Sequence, residues 1–251
     1  MKLSTWIISI LVVVAIAPPW GATAEEAPSA REIARRSFDV VAGAEWERAR
    51  YVAFTFNVER NGQTIASHAH RWDRFTGDYR VEGKDREGRA YVVLFDLDTR
   101  KGRAWLDGRE QEDREKLIEF GYGRFINDTY WLLVPAKMLD PGVTLEAAGS
   151  RTDDCGRTYD GVRLAFDAVG LTPGDQYWLW VDRDTGLVDL WQMQLQSMKP
   201  EDPKLEYRFR EYERIGGLLL SLSKPSVDGA SRIWFSSVDV RPDVPEGAFD
   251  R

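Results

Sequence analysis

The chain opens on a continuous apolar run, Trp6 to Ala17, preceded by Lys2 and followed by Pro18-Pro19 and the small residues Ala22-Thr23-Ala24. The run is shorter than the roughly 18 to 20 residues that cross a bilayer. Its order of charge, apolar stretch and small-residue site is that of an export signal cut after Ala24. The pattern then takes a helical period. Ser29 and Glu32 have the spacing of a capping box, and Ile33, Ala34, Phe38 and Val41 recur at helical intervals up to Gly43, which predicts one amphipathic helix.

From Tyr51 the period falls to two. Val52, Phe54, Phe56 and Val58 alternate with Ala53, Thr55 and Asn57, and Asn61-Gly62 turns the chain into a return strand from about Thr64 to Trp72. Thr76-Gly77, Glu87-Gly88 and Asp107-Gly108 punctuate further strands, among them Tyr91 to Phe95 and Arg103 to Leu106. Glu110 to Phe120 is charged, with apolar positions at Leu117, Ile118 and Phe120. Asn127 or Asp128 then has the character of a cap for a second short helix through Tyr130-Trp131-Leu132-Leu133, bounded by Pro135 and Asp140-Pro141-Gly142.

Strands resume with Val162, Leu164 and Phe166, then Tyr177 to Val181 and Leu187 to Leu195 around the turn Asp182 to Gly186. Leu205, Tyr207 and Phe209 alternate with charged neighbours, Ile215-Gly216-Gly217 turns into Leu218 to Leu222, and Ile233 to Val240 closes the series. The expected class is α+β, mainly β. It comprises one early helix, ten or eleven antiparallel strands in a strongly curved sheet or barrel, and a mid-chain helical insertion.

Composition narrows the function. Removing the leader takes away one charge, Lys2, so the formal net charge of −7 becomes −8. Basic and acidic residues are interleaved, as in Asp85-Arg86-Glu87, and no basic stripe exists to follow a nucleic-acid backbone or an anionic membrane. Cys155, the one cysteine, sits in a polar turn; it leaves no internal disulfide and no lipidation site behind the leader. Residues 25–251 therefore read as one exported domain held by an apolar core.

Chemical candidates are few. His68 and His70, the only histidines, lie two apart on a predicted strand and so share a face. As metal ligands they need carboxylates such as Asp73 or Asp96 to complete the set; otherwise they form a polar strand face. Asp73, Asp78, Asp175, Asp182 and Asp184 stand beside turn residues, where aspartate bonds backbone. No serine lies in a nucleophile elbow and no lysine in a nucleotide loop, so neither a catalytic residue nor a cofactor is expected. The aromatic residues carry more: ten tryptophans, nine tyrosines and eleven phenylalanines exceed the needs of a small core. Both faces of Tyr177-Trp178-Leu179-Trp180 are apolar, as expected of a strand between two layers or beside a hydrophobic cavity.

The order of elements resembles the LolA-like periplasmic lipoprotein carriers over nearly the whole mature chain. The local matches are VDRDTGLV at Val181 to Val188, EYERIGGLLLSLS at Glu211 to Ser223, and the ending PDVPEGAFDR. FINDTYWLLVPAKMLDPGV (Phe125 to Val143) and VGLTPGDQYW (Val169 to Trp178) are similar to stretches of exported bacterial proteins grouped near that superfamily. The resemblance implies an incomplete barrel whose opening is covered by the helices, sheltering acyl chains in the periplasm, and it carries over no individual functional residue. On this reading the protein is a non-catalytic binder of an acyl chain, lipoprotein or other hydrophobic ligand, with Phe125, Tyr130, Trp131, Trp178 and Trp180 lining the cavity or lid. One alternative is an envelope interaction module whose cavity its own side chains fill. The other is a hydrolase or metal protein built on His68, His70 and nearby carboxylates.

Overall fold

The computed structural model describes residues 27–166, 172 and 174–250. The export signal and its cut after Ala24 lie outside the described residues, as does part of the VGLTPGDQYW stretch. Helix α1 (Ala30–Val41) begins as its sequence predicts. The Glu32 amide donates to the Ser29 hydroxyl at 3.3 Å and the Ser29 amide donates to the Glu32 carboxylate at 2.8 Å, satisfying two otherwise orphaned donors. Ile33, Ala34 and Val41 form its buried stripe. A 3-10 turn over Gly43–Glu47 leads into the strands.

These are β1 (Tyr51–Arg60), β2 (Gln63–Asp73), β3 (Asp78–Lys84), β4 (Ala90–Asp96), β5 (Gly102–Leu106) and β6 (Arg109–Glu110). After helix α2 (Glu115–Lys137) come β7 (Val143–Thr152), β8 (Thr158–Phe166), β9 (Gln176–Asp182), β10 (Val188–Gln194) and β11 (Leu205–Arg208). The last three are β12 (Arg210–Ile215), β13 (Leu218–Pro225) and β14 (Ser231–Arg241). Asn61 and Gly62 both have positive φ, 50° and 76°, the left-handed pair that a two-residue hairpin turn requires.

The curved surface is built as two antiparallel sheets. Nine strands run in the order β12-β13-β14-β1-β2-β3-β4-β5-β6, and five in the order β11-β10-β9-β8-β7. Neither closes into a barrel, in keeping with the incomplete one expected. Strands β11 and β12 adjoin in the chain but belong to different sheets, with Phe209 alone between them. Bending of the larger sheet has a local cause. β1 and β14 lose register between Ala53 and Thr55, and Ser237, the extra residue of β14 there, has a φ of 51°. Such a bulge kinks its strand and increases the twist.

The concave face of the nine-stranded sheet carries Phe54, Phe56, Tyr79, Val81, Tyr91, Val93, Phe95, Leu220 and Phe235, all buried. A second cluster, with Val162, Leu164, Leu179, Val181 and Trp191, packs under Ile33 and Ala34 of α1, Val134 of α2 and Met138 just after it. Trp131 and Tyr207 touch both clusters.

Helix α2 corrects the sequence reading. Asn127-Asp128 does not start a short helix, and Pro135 does not end one: a single helix of 23 residues runs from Glu115 to Lys137. The charged stretch before it winds into the helix because Ile118 and Gly121 are buried against the sheet. A Cβ on Gly121 would meet Phe95, Val93 and Val81 at 3.1–3.3 Å, so the bare backbone there sets how closely the helix approaches. Pro135 falls in the last turn and forfeits only the bond its amide would have given Trp131.

Candidate functional site

Antiparallel pairing sets His70 opposite Phe54 and His68 opposite Phe56, so both imidazoles share the concave face with those rings, as their spacing predicts. His70 stacks on Phe54 at 4.6 Å between centroids and His68 lies nearly parallel to Phe56 at 6.1 Å. Asp128 descends from α2 onto the pair. One of its oxygens, Oδ2, lies 2.9 Å from His68 Nδ1 and 3.1 Å from His70 Nε2. The other accepts from Asn127 Nδ2 at 2.7 Å and has the Arg124 guanidinium at 3.7 Å. His70 Nδ1 is 2.6 Å from the Tyr79 hydroxyl.

Charge assigns the protons. Burial pushes the Asp128 carboxyl up, but the hydrogen bonds from His68 and His70 outweigh it and hold the group well below the usual carboxylate range. It is therefore ionised and accepts from both imidazoles. Burial pushes His70 down, so its ring stays neutral, donates through Nε2 and accepts at Nδ1 from Tyr79. The same burial pushes the Tyr79 hydroxyl well up and keeps it a donor. Tyr91 stands beside His68 with its hydroxyl buried and without a hydrogen-bond partner.

Solvent does not reach this cluster: relative exposure is 0% for Asp128, 1% for His70 and 6% for His68. The cluster links α2 to the floor of the sheet. Its ligand atoms all lie within 4.8 Å of one another, which makes these three the described residues able to hold a metal ion. Asp73 and Asp96, the carboxylates expected to complete such a set, are elsewhere. Asp73 pairs with Arg50 at 2.8 Å and accepts from the Phe75 amide, and Asp96 caps the turn at Thr99.

The aromatic candidates divide. Phe125 meets Trp72 at 5.1 Å and Tyr79 at 5.0 Å, under the first half of α2. Tyr130 packs edge-on to Trp191 at 5.9 Å, and Trp131 lies against Trp191 at 4.6 Å and Tyr207 at 4.9 Å. Phe125 thus faces the nine-stranded sheet, Tyr130 the five-stranded one, and Trp131 touches the clusters of both. Trp178 and Trp180 lie on the opposite face of β9 from buried Leu179, so the structure does not bring them to the other three. Lys204 sits over Trp178 at 4.3 Å and Arg151 over Trp180 at 4.4 Å, while Trp180 Nε1 donates to Gln192 at 2.7 Å. Cys155 is exposed in a turn that Asp153 holds through the Cys155 and Arg157 amides.

Between α2 and β13 a cavity of about 10 Å³ remains, lined by Leu132, Leu133, Leu218, Leu220 and Ser221 among others. A larger groove of about 550 Å³ opens at Arg31, Met138, Asp140 and Leu145, where the end of α2 meets β7. Among the described residues no helix is long and apolar enough to cross a membrane.

No protein-family model and no curated protein matches the sequence. Solved structures do. The chain superposes on a LolA superfamily protein from Nitrosomonas europaea with a TM-score of 0.53 and 12% identity, over 90% of this chain and 99% of that one. A DUF1329 family protein from Desulfovibrio piger gives 0.48 and 12%, over 87% and 97%. A putative outer membrane lipoprotein-sorting protein domain from Vibrio parahaemolyticus gives 0.45 and 10%, over 86% and 97%. At such identities the likeness is one of architecture, and the architecture of this chain is LolA-like.

Proposed function

We propose that the mature chain is a periplasmic, non-catalytic binding protein that shelters an acyl chain or another hydrophobic ligand between the nine-stranded sheet and α2. The observation that carries this reading is the floor itself: Phe54, Phe56, Val81, Val93, Phe95 and Phe235 form an aromatic and aliphatic concave surface covered by one helix. That helix approaches through a glycine and is pinned by one buried polar cluster. Lifting it exposes the floor to a ligand. Eight methylenes of an acyl chain recover roughly 6 kcal/mol at about 0.8 kcal/mol each. That gain offsets part of what lifting the helix costs in apolar packing and in the hydrogen bonds to Asp128. Phe125, Tyr130 and Trp131 are the lid side chains of this reading.

Native mass spectrometry of the protein purified from the cell envelope tests it. A lipid-sized adduct that fluorescent fatty acids displace is the expected result. Repeated absence of an adduct, together with no binding of the fluorescent acids, would overturn it. The small cavity between α2 and β13, about 10 Å³, favours a second reading: an envelope interaction module whose own side chains occupy the space. That reading requires the protein to be free of lipid and to co-purify with a protein partner.

A further inference from the structure

Lys224 has no exposed surface. Pairing sets it opposite Ile233, so its side chain points to the concave side, the side of Phe235. Its Nζ donates to the Ser221 carbonyl at 2.6 Å and lies over two rings, Phe209 at 4.6 Å and Phe235 at 4.7 Å. Among the described residues no carboxylate forms an ion pair with it, and burial alone displaces its ammonium well below the ordinary lysine value. Buried Asp160 and Asp189 differ, for each holds two arginines. A buried cation without a counter-charge is costly, and ring faces and one carbonyl compensate it only in part.

The position of this amine gives it a use. Phe235 meets Phe54 and Phe56 edge-on at 5.9 and 5.8 Å, and those rings run on to the histidines beneath α2. An unbroken aromatic floor thus leads from the amine to the helix. We propose that Lys224 is a headgroup site, and that the ligand is a fatty-acid-like amphiphile whose single carboxylate meets Lys224 while its tail lies along Phe235, Phe54 and Phe56. This rests on the binding-protein reading and names its ligand class. A carboxylate supplies the one charge that is missing. A phosphate dianion would bring a second charge with nothing to meet it, since among the described residues no other charged group acts on this lysine. A neutral alcohol or ester would leave the amine as it is.

The test compares the mature wild-type chain with Lys224→Met, which keeps the length of the side chain and removes its charge; apolar replacements of buried charges are commonly tolerated. Urea unfolding of the variant is expected to match or exceed wild type. Affinities for hexadecanoic acid and hexadecan-1-ol are then measured by displacement of a neutral fluorescent acyl probe. Wild type is expected to favour the acid by about tenfold or more, the worth of one charge-assisted contact. Lys224→Met is expected to keep its affinity for the alcohol and lose the preference. An acid-to-alcohol ratio unchanged by the substitution would overturn the headgroup site and leave the binding-protein reading standing. Failure of wild type to bind either amphiphile would overturn both.

Discussion

Replacing Asp128 with alanine isolates what the buried cluster contributes. The substitution removes the oxygen that accepts from His68 Nδ1 at 2.9 Å and His70 Nε2 at 3.1 Å, in a place where relative exposure does not exceed 6%. Each stranded imidazole donor costs about 1–3 kcal/mol. The sum, roughly 2–6 kcal/mol, brackets the roughly 3–5 kcal/mol for breaking a buried charged pair by removing one partner. Asp128→Asn is the control. Its carbonyl oxygen still serves both imidazoles, and its amide group meets the exposed Asn127, which can turn to water. The loss is then the charge assistance of two hydrogen bonds, about 2 kcal/mol in all. Urea unfolding of the mature chain at pH 7.5, followed by tryptophan fluorescence, reads the difference. With a slope of about 2–3 kcal/mol per M, Asp128→Ala lowers the midpoint by roughly 1.5 M and Asp128→Asn by about half of that. An alanine variant within about 1 kcal/mol of wild type, the size of an ordinary surface change, would refute the idea that this cluster pins α2.

Three further outcomes are expected. Stability falls with acid in two stages: His70 is held below its unfolded value of about 6.5, so beneath that pH the unfolded chain takes up a proton that the native ring refuses. Asp128, and Asp160 at about 2, are held below the unfolded value of about 3.9 and add a second loss beneath pH 4; urea midpoints that stay level from pH 7.5 to 5 would contradict the first stage. Gly121→Leu forces a side chain into the 3.1–3.3 Å gap above Phe95, Val93 and Val81. It should cost about 1–3 kcal/mol and raise binding of a hydrophobic dye as the helix lifts, whereas unchanged dye binding would mean that the helix does not control access to the floor. Asp160→Asn weakens the contacts from Arg36 of α1 and from Arg183. Both arginines are partly solvated, so the loss is about 1–2 kcal/mol, and hydrogen exchange should accelerate across α1; protection of α1 equal to wild type would show that its apolar stripe alone holds it.

Local chemistry was legible wherever it acted alone. The capping box of α1, the Asn61-Gly62 hairpin and the shared face of His68 and His70 all follow from spacing, and all stand in the structure. Asp128 was not legible as a site residue, because Asn-Asp-Thr reads as a helix start and only the tertiary partners on β2 say otherwise. A signal was present: Gly121, Phe125, Asp128 and Leu132 recur at spacings of four, three and four, which places the aspartate in the middle of an inward stripe. Strand β7 was missed because it is an edge strand with no steady alternation, interrupted near Gly149. For Trp178 and Trp180 the parity could be read but not the direction, since both faces of β9 carry large side chains. Lys224 gave no sign at all, as a lone lysine after alternating serines reads like a solvated strand end.

The passage of the chain from one sheet to the other through Phe209 has a mechanical meaning. One residue spans at most about 3.5 Å, and the amide of Phe209 is itself bound to the Asp189 carbonyl at 2.9 Å. Tyr207 also bridges to Ser226, a second stitch across the same seam. The two sheets therefore cannot swing apart like the halves of a shell. Any gape must come from the segments at the ends of α2, Gln111 to Arg114 and Met138 to Gly142, which makes the molecule a fixed bowl with a strap rather than a jaw.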